Sequence, residues 1–236
     1  SRLQEAVDAL EDAWYKMRPV CGTDTNVTDV MKAELAELGY GDIEAAVKSS
    51  DDEEHVAADG AITYFYDLNS YVGVANVDVV FTFTLGGASK EYTQRVIVGW
   101  DTVRAAKDIE EQEASAVTWD TIKGENAAAD SVTSDLTLPQ YAGTAYGDSL
   151  AKISWESSNP DVVSLKENGD SWDYEPYTGV VTKPEADTDV TLTATFTFKK
   201  DESCTVKKQF SITVKGYSEE EIEQKKAEML AELNEK

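Results

Sequence analysis

The chain has 236 residues, of which 46 are acidic and 21 basic, for a formal net charge of −25. That balance argues against nucleic acid, which needs clustered Lys and Arg, and against an anionic membrane surface. A hydrophobic share of 41% and an aromatic share of 9% describe a globular chain, and no apolar run approaches the roughly 18 residues that span a membrane.

The first residues read as an amphipathic helix. Leu3, Val7, Leu10, Trp14 and Met17 share one face, and Pro19 ends it. Val27, Val30, Met31, Leu35 and Leu38 give a second helical face, with Gly39 suited to the C-terminal cap. Strands are expected at 62–66, 77–85 and 92–100, with Gly86-Gly87 as the turn between the last two. A helix with a weaker stripe (Val103, Ala106, Ile109, Ala114) comes next, over 102–115. Leu136-Thr137-Leu138 stops at Pro139 as a short edge strand does. Further strands are expected at 151–156, 162–165, 179–182, 190–198 and 206–214. In the fourth of these, Val190, Leu192, Ala194 and Phe196 point one way and the threonines the other. Residues 217–236 form a last helix, opened by a Ser218/Glu221 capping box and carrying Ile222, Met229, Leu230 and Leu233.

Stretches of the two halves match in order. Val47-Lys48-Ser49-Ser50-Asp51 pairs with Trp155-Glu156-Ser157-Ser158-Asn159, and Gly60-Ala61-Ile62-Thr63 with Gly179-Val180-Val181-Thr182. Phe81-Thr82-Phe83-Thr84 pairs with Leu192-Thr193-Ala194-Thr195, and Val96-Ile97-Val98 with Ile212-Thr213-Val214. The repeat predicts units at 1–101 and 102–216, with 217–236 either opening a further unit or packing back onto the second sandwich, the former being the simpler account. The expected fold is mainly β: tandem immunoglobulin-like β-sandwiches with short helical connectors and a C-terminal helix. Ser1 in place of Met reads as the start of an excised piece of a longer polypeptide.

The second unit resembles the atrophied bacterial immunoglobulin-like domain. The resemblance rests on Trp119-Asp120-Thr121-Ile122-Lys123-Gly124-Glu125-Asn126, on Val132 to Pro139, and above all on Ile153-Ser154-Trp155-Glu156-Ser157-Ser158-Asn159-Pro160-Asp161-Val162-Val163-Ser164. Gly179 to Pro184, Val190 to Thr195 and Phe210 to Val214 complete it. The first unit departs from the pattern: it lacks the Leu-x-Leu-Pro strand and the Trp-x-Ser-Ser-Asn-Pro stretch, and a helix replaces a loop. It resembles a divergent member. The resemblance implies a spacer or accessory module of a bacterial secreted or cell-surface protein and brings no catalytic residues with it. Trp155 is expected as a core anchor.

Chemistry-bearing patterns are sparse. His55, the sole histidine, sits in the acidic run 51–54 with no nucleophile at a recognisable spacing and reads as a solvated loop residue. Cys21 and Cys204 fall in different units and read as free thiols. Glu167, Asn168, Asp170, Asp173 and Glu175 crowd one loop without the spacing of a calcium loop and read as a solvated turn. The same loop, an insertion relative to the first unit, carries Trp172, Tyr174 and Tyr177. Aromatic rings among carboxylates suit the apolar face of a sugar, although packing over the sandwich edge is the simpler use. The expected function is a non-catalytic spacer or interaction module, adhesion-related and extracellular or at the cell surface, with no metal or cofactor. Its expected partners are a glycan or protein ligand and neighbouring domains of the parent chain, with no nucleic acid and no membrane insertion of this segment. The alternative is a carbohydrate-binding accessory module of a glycoside hydrolase.

Overall fold

The computed structural model describes the chain except residues 14–16, 71, 144–146, 148, 170–174 and 235–236. It divides into two compact units, Ser1–Arg104 and Ala105–Lys236, and is mainly β.

In the first unit, α1 (Arg2–Asp12) buries Leu3, Ala6, Val7 and Leu10. The helix stops at Asp12, earlier than the apolar spacing predicts. Met17 belongs instead to strand β1 (Met17–Pro19), which pairs in parallel with β4 (Ala88–Val98). An open ladder edge outweighed helical periodicity here; Trp14 lies outside the described residues. Helix α2 (Val27–Glu37) is capped by Asn26, whose Oδ1 accepts from Thr28 N at 2.8 Å, and ends before Gly39 at φ +87°. Strands β2 (Glu44–Ser50) and β3 (Ala75–Leu85) complete a four-stranded sheet of order β1-β4-β3-β2. Gly86 and Gly87, at φ +58° and +84°, close the β3–β4 hairpin, since a two-residue turn of this hand needs positive φ at both positions. The strand expected at 62–66 is reduced to single bridges, Val56 with Ile62 and Phe65 with Trp100. The first unit thus has one full sheet, with Met31 and Leu35 of α2 and Leu10 of α1 buried in the same core as Phe81 and Phe83.

In the second unit, α3 (Thr102–Asp108), inside which the unit boundary falls, runs into a π-helical segment (Ile109–Ala114) and then α4 (Trp119–Ile122). The strands are β5 (Leu136–Leu138), β6 (Ala151–Ser157), β7 (Val163–Lys166), β8 (Tyr177–Val181), β9 (Thr188–Phe198) and β10 (Thr205–Val214). They form two three-stranded sheets, β10-β9-β6 and β5-β8-β7, each antiparallel throughout. That division and order are those of the immunoglobulin sandwich. The inward row of β9, Val190 to Phe198 at alternate positions, is buried as the alternation predicts. Trp155 is 6% exposed, donates from Nε1 to Pro139 O at 2.9 Å and lies 5.7 Å from the Phe210 ring, as a core anchor should. Helix α5 (Glu219–Asn234) closes the chain with the expected capping box: Ser218 N donates to Glu221 Oε2 and Glu221 N to Ser218 Oγ.

The two units share a hydrogen-bond frame. Val20 N donates to Ile97 O in one, and Val132 N to Thr213 O in the other. Asp51 N donates to Asp78 O and accepts through Oδ1 from Asp78 N; Ser158 N donates to Thr191 O and accepts through Oγ from Thr191 N. Val56 N to Asp52 O and Thr63 N to His55 O match Val163 N to Asn159 O and Thr182 N to Val162 O. Asp101 N to Phe65 O matches Tyr217 N to Pro184 O. These bonds place Gly60 to Thr63 and Val96 to Val98 on their expected counterparts and correct the other two alignments. Ser50, not Ser49, matches Ser157, because a bulge between Val47 and Ser49 adds Lys48 to β2. Phe81 matches Ala194, not Leu192, since Val47 faces Phe81 and Trp155 faces Ala194.

Candidate functional site

The aromatic insertion is the segment that sequence reasoning marked for binding. Trp172 and Tyr174 lie outside the described residues, as do Asp170 and Asp173. Tyr177 opens β8, pairs with Leu138 and is half-buried. Burial, and after it the nearby Glu167 carboxylate with which its hydroxyl is hydrogen-bonded, raises its pKa. The stem of the insertion is tied by side chains: Asn168 Nδ2 donates to Pro176 O at 2.8 Å and to Thr178 Oγ1 at 2.7 Å, and Gln140 Nε2 to Glu175 O at 2.6 Å. Asn168 therefore serves the loop stem.

Tyr177 borders an open groove of about 410 Å³ together with Lys152 and Ser154 of β6, Thr197 of β9, and Lys199 and Glu202 of the β9–β10 connection. Lys152 and Ser154 alternate with buried Ile153 and Trp155, so β6 turns them outward. This lining, which also includes Phe198, offers aromatic rings, two ammonium groups, hydroxyls and a carboxylate, which suit hydrogen bonding and stacking. The lysines and Glu202 escaped sequence reasoning because separate elements bring them together; the outward phase of β6 was the one available signal.

His55 is not the solvated residue that its acidic neighbours suggested. Its side chain is 14% exposed, its ring stacks on Phe65 at 4.2 Å, and Nδ1 lies 2.8 Å from Asp52 Oδ2. That contact holds the Asp52 carboxyl below its ordinary range. In the shared frame His55 stands where the second unit has Val162, which makes it a packing residue with a polar edge.

Glu113 is the notable buried acid. It lies in the π-helical segment and accepts from Leu150 N and from Ala151 N, the latter at 3.1 Å. Burial raises its carboxyl; the two amides and then Lys199 pull it back in part. Asn126, also buried, uses its whole amide: Nδ2 donates to Lys123 O and Ser134 O, and Oδ1 accepts from Thr133 N and Ser134 N, all within 2.8–2.9 Å. Beside it Gly124, at φ +55°, approaches Asp135 O so closely that a Cβ would sit 2.5 Å from it. Both groups position backbone.

Cys21 is exposed and Cys204 buried, and neither forms a disulfide. Among the described residues no three His, Cys, Asp or Glu side chains converge as metal ligands, and no helix is long and apolar enough to cross a membrane.

Residues 111–217 match the family described as the atrophied bacterial Ig domain. No curated protein matches the chain. Among solved structures, PcdhgB3 EC1-4 is similar at 11% identity over 85% of this chain and 48% of its own, with a TM-score of 0.26. The chain spans about half the length of that structure. The family match covers the two-sheet sandwich, the Asn126 loop and the Trp155 anchor. Over residues 111–217 the second unit is similar to the atrophied bacterial immunoglobulin-like domain.

Proposed function

We propose that this chain is a non-catalytic spacer and interaction segment of a larger bacterial secreted or cell-surface protein, extracellular or at the surface, serving adhesion through neighbouring domains or a protein ligand. The observation that supports this reading most is the connector. The last strand of the first unit passes through Trp100 and Asp101 directly into α3 and the π-helical segment, whose Ile109 and Ala114 are buried. A helical connector restricts the angle between modules more than a Gly/Ser linker does. Small-angle scattering on the purified chain is expected to give an elongated envelope; a compact globular one overturns the reading.

The Tyr177 groove supports a second reading, a carbohydrate-binding accessory module of a glycoside hydrolase that uses Trp172, Tyr174 and Tyr177. A glycan array with the unmodified chain and Tyr177→Ala tests it. Binding that the variant loses supports the module, and no binding across plant, host and bacterial glycans sinks it.

A further inference from the structure

Each unit carries a helix on its long hairpin. In the first unit α1 packs on β3 and β4 through Leu3, Ala6, Val7 and Leu10. In the second the π-helical segment packs on β9 and β10, and Ala105, Ile109 and Ala114 are buried. The second of these helices begins at a defined point of the frame: Asp101 N donates to Phe65 O, Asp101 Oδ1 accepts from Arg104 N, and the chain turns into α3. Helix α5 begins at the same point of the second unit. Tyr217 N donates to Pro184 O, the Ser218 box caps the helix, and Lys183 Nζ pairs with Glu221 Oε1 at 2.5 Å. Lys225 Nζ, 3.7 Å above the Tyr217 ring, fastens the next turn. Beyond that Met229 and Leu230 face solvent, 65% and 61% exposed, on the same stripe as half-buried Ile222.

We infer that the Ile222/Met229/Leu230 face of α5 is the seat of a third sandwich, formed by the polypeptide beyond Lys236, and that α5 lies on that unit's long hairpin as the π-helical segment lies on β9 and β10. A helix of 16 residues whose Met229 and Leu230 have no cover gains little from helix formation alone, whereas Ala105, Ile109 and Ala114 of its counterpart are buried. The inference deepens the spacer reading, on which it rests, by naming the neighbour that this segment docks.

The experiment compares residues 1–236 with the native polypeptide carried about 100 residues further, a typical domain length, using amide hydrogen exchange over 222–231 and the double variant Met229→Ser/Leu230→Ser. In the shorter chain these amides exchange at nearly unprotected rates and the variant leaves melting unchanged. In the longer chain protection rises by about 100-fold, a third melting transition appears, and the variant lowers that transition alone by about 10 °C. Three results overturn the inference: a native reading frame that adds no folding unit, equal exchange in both chains, or full protection already in residues 1–236. Protection that depends on concentration in the shorter chain points to a second copy as the occupant and also overturns it. A compact scattering envelope with α5 protected in the longer chain defeats the spacer reading and leaves this docking intact, so the two failures are separable.

Discussion

The two units keep one hydrogen-bond frame and differ in how they cover it. In the second, the sheet β10-β9-β6 faces the sheet β5-β8-β7. In the first, the matching sheet β4-β3-β2 is kept, but the facing layer has shrunk to bridges of Val56 with Ile62 and of Asn26 with Ala61, and α2 fills the space. The switch happens at Asn26. It makes its bridge to Ala61 and then caps α2, whereas in the second unit Asp135 Oδ1 accepts from Val181 N and the chain runs on as β5. The next residues along the chain explain the choice in each unit: Leu136-Thr137-Leu138-Pro139 alternates and stops, while Val27 to Glu37 repeats apolar residues at helical spacing among strong helix formers. The frame tolerates a helix in place of a sheet because only its three long strands and the turn bonds at their ends are shared.

The anchors of the two units set up the largest expected effect. Trp155 and Val47 hold the same place opposite Ala194 and Phe81, but Trp155 is buried and Val47 half-buried. Trp155→Ala should cost the second unit about 3–5 kcal/mol, with the Pro139 carbonyl losing its donor. Val47→Ala should cost the first unit about 1 kcal/mol. Calorimetry that resolves two transitions checks this, and a comparable loss from both variants would mean that the shared position does not carry different weights.

Next in size is Asn126 of the second unit. Asn126→Ala strands two backbone amides and two carbonyls, so the second unit should lose on the order of 3 kcal/mol. Chemical denaturation of the variant should lower the midpoint of one transition and leave the other in place. If both transitions hold, ordered water replaces the side chain without penalty.

Much of this was legible in the residues. Alternation in Val190 to Phe198, the Gly86-Gly87 turn, the Ser218 capping box and the Leu-x-Leu-Pro edge are local signals, and local chemistry decided each. The failures share a physical cause: a partner distant in sequence. Met17 continues the helical stripe of α1 but is drawn into a strand by the open edge of β4. The extra residue Lys48 is invisible until the partner strand shows the register. His55 looks solvated among acids until Phe65 is folded beneath it. The same limit applied to the candidate groove, where Tyr177 was legible as an aromatic in an acidic loop but Lys152, Lys199 and Glu202 reach it only through the sheet.

Glu113 gives the comparison a pH test. The first unit buries Glu34 from α2, and the second buries the Glu113 carboxyl against the Leu150 and Ala151 amides. Its folded-state pKa is raised above the ordinary 4.5 by burial. A group raised in the folded state holds its proton more tightly there, so its stabilising share is fully present below 4.5 and is lost as pH rises through the folded value. Glu113→Gln removes that titration. The melting temperature of the unmodified second unit should therefore gain on the variant as pH falls from 7 toward 4.5, while the first unit's difference stays flat. A gain in the opposite direction would show that the Leu150 and Ala151 amides outweigh burial.

The smallest effect concerns the bulge that separates the two frames. Lys48 is the extra residue of β2, it is exposed, and its ammonium pairs with Glu91 across the sheet. Surface pairs of this kind contribute about 0–1 kcal/mol. Deleting Lys48 should leave Val47 opposite Phe81 and bring Ser49 into a continuous ladder, the arrangement that Trp155, Glu156 and Ser157 already have. Because the inward and outward phases on both sides of the bulge survive, the deletion should cost the first unit less than about 1 kcal/mol. Thermal melting of the deletion variant is the check. A loss of several kcal/mol would show that the local twist of the bulge is what aims Asp51 at Asp78, and that the first unit reaches the shared turn by a different strain from the second.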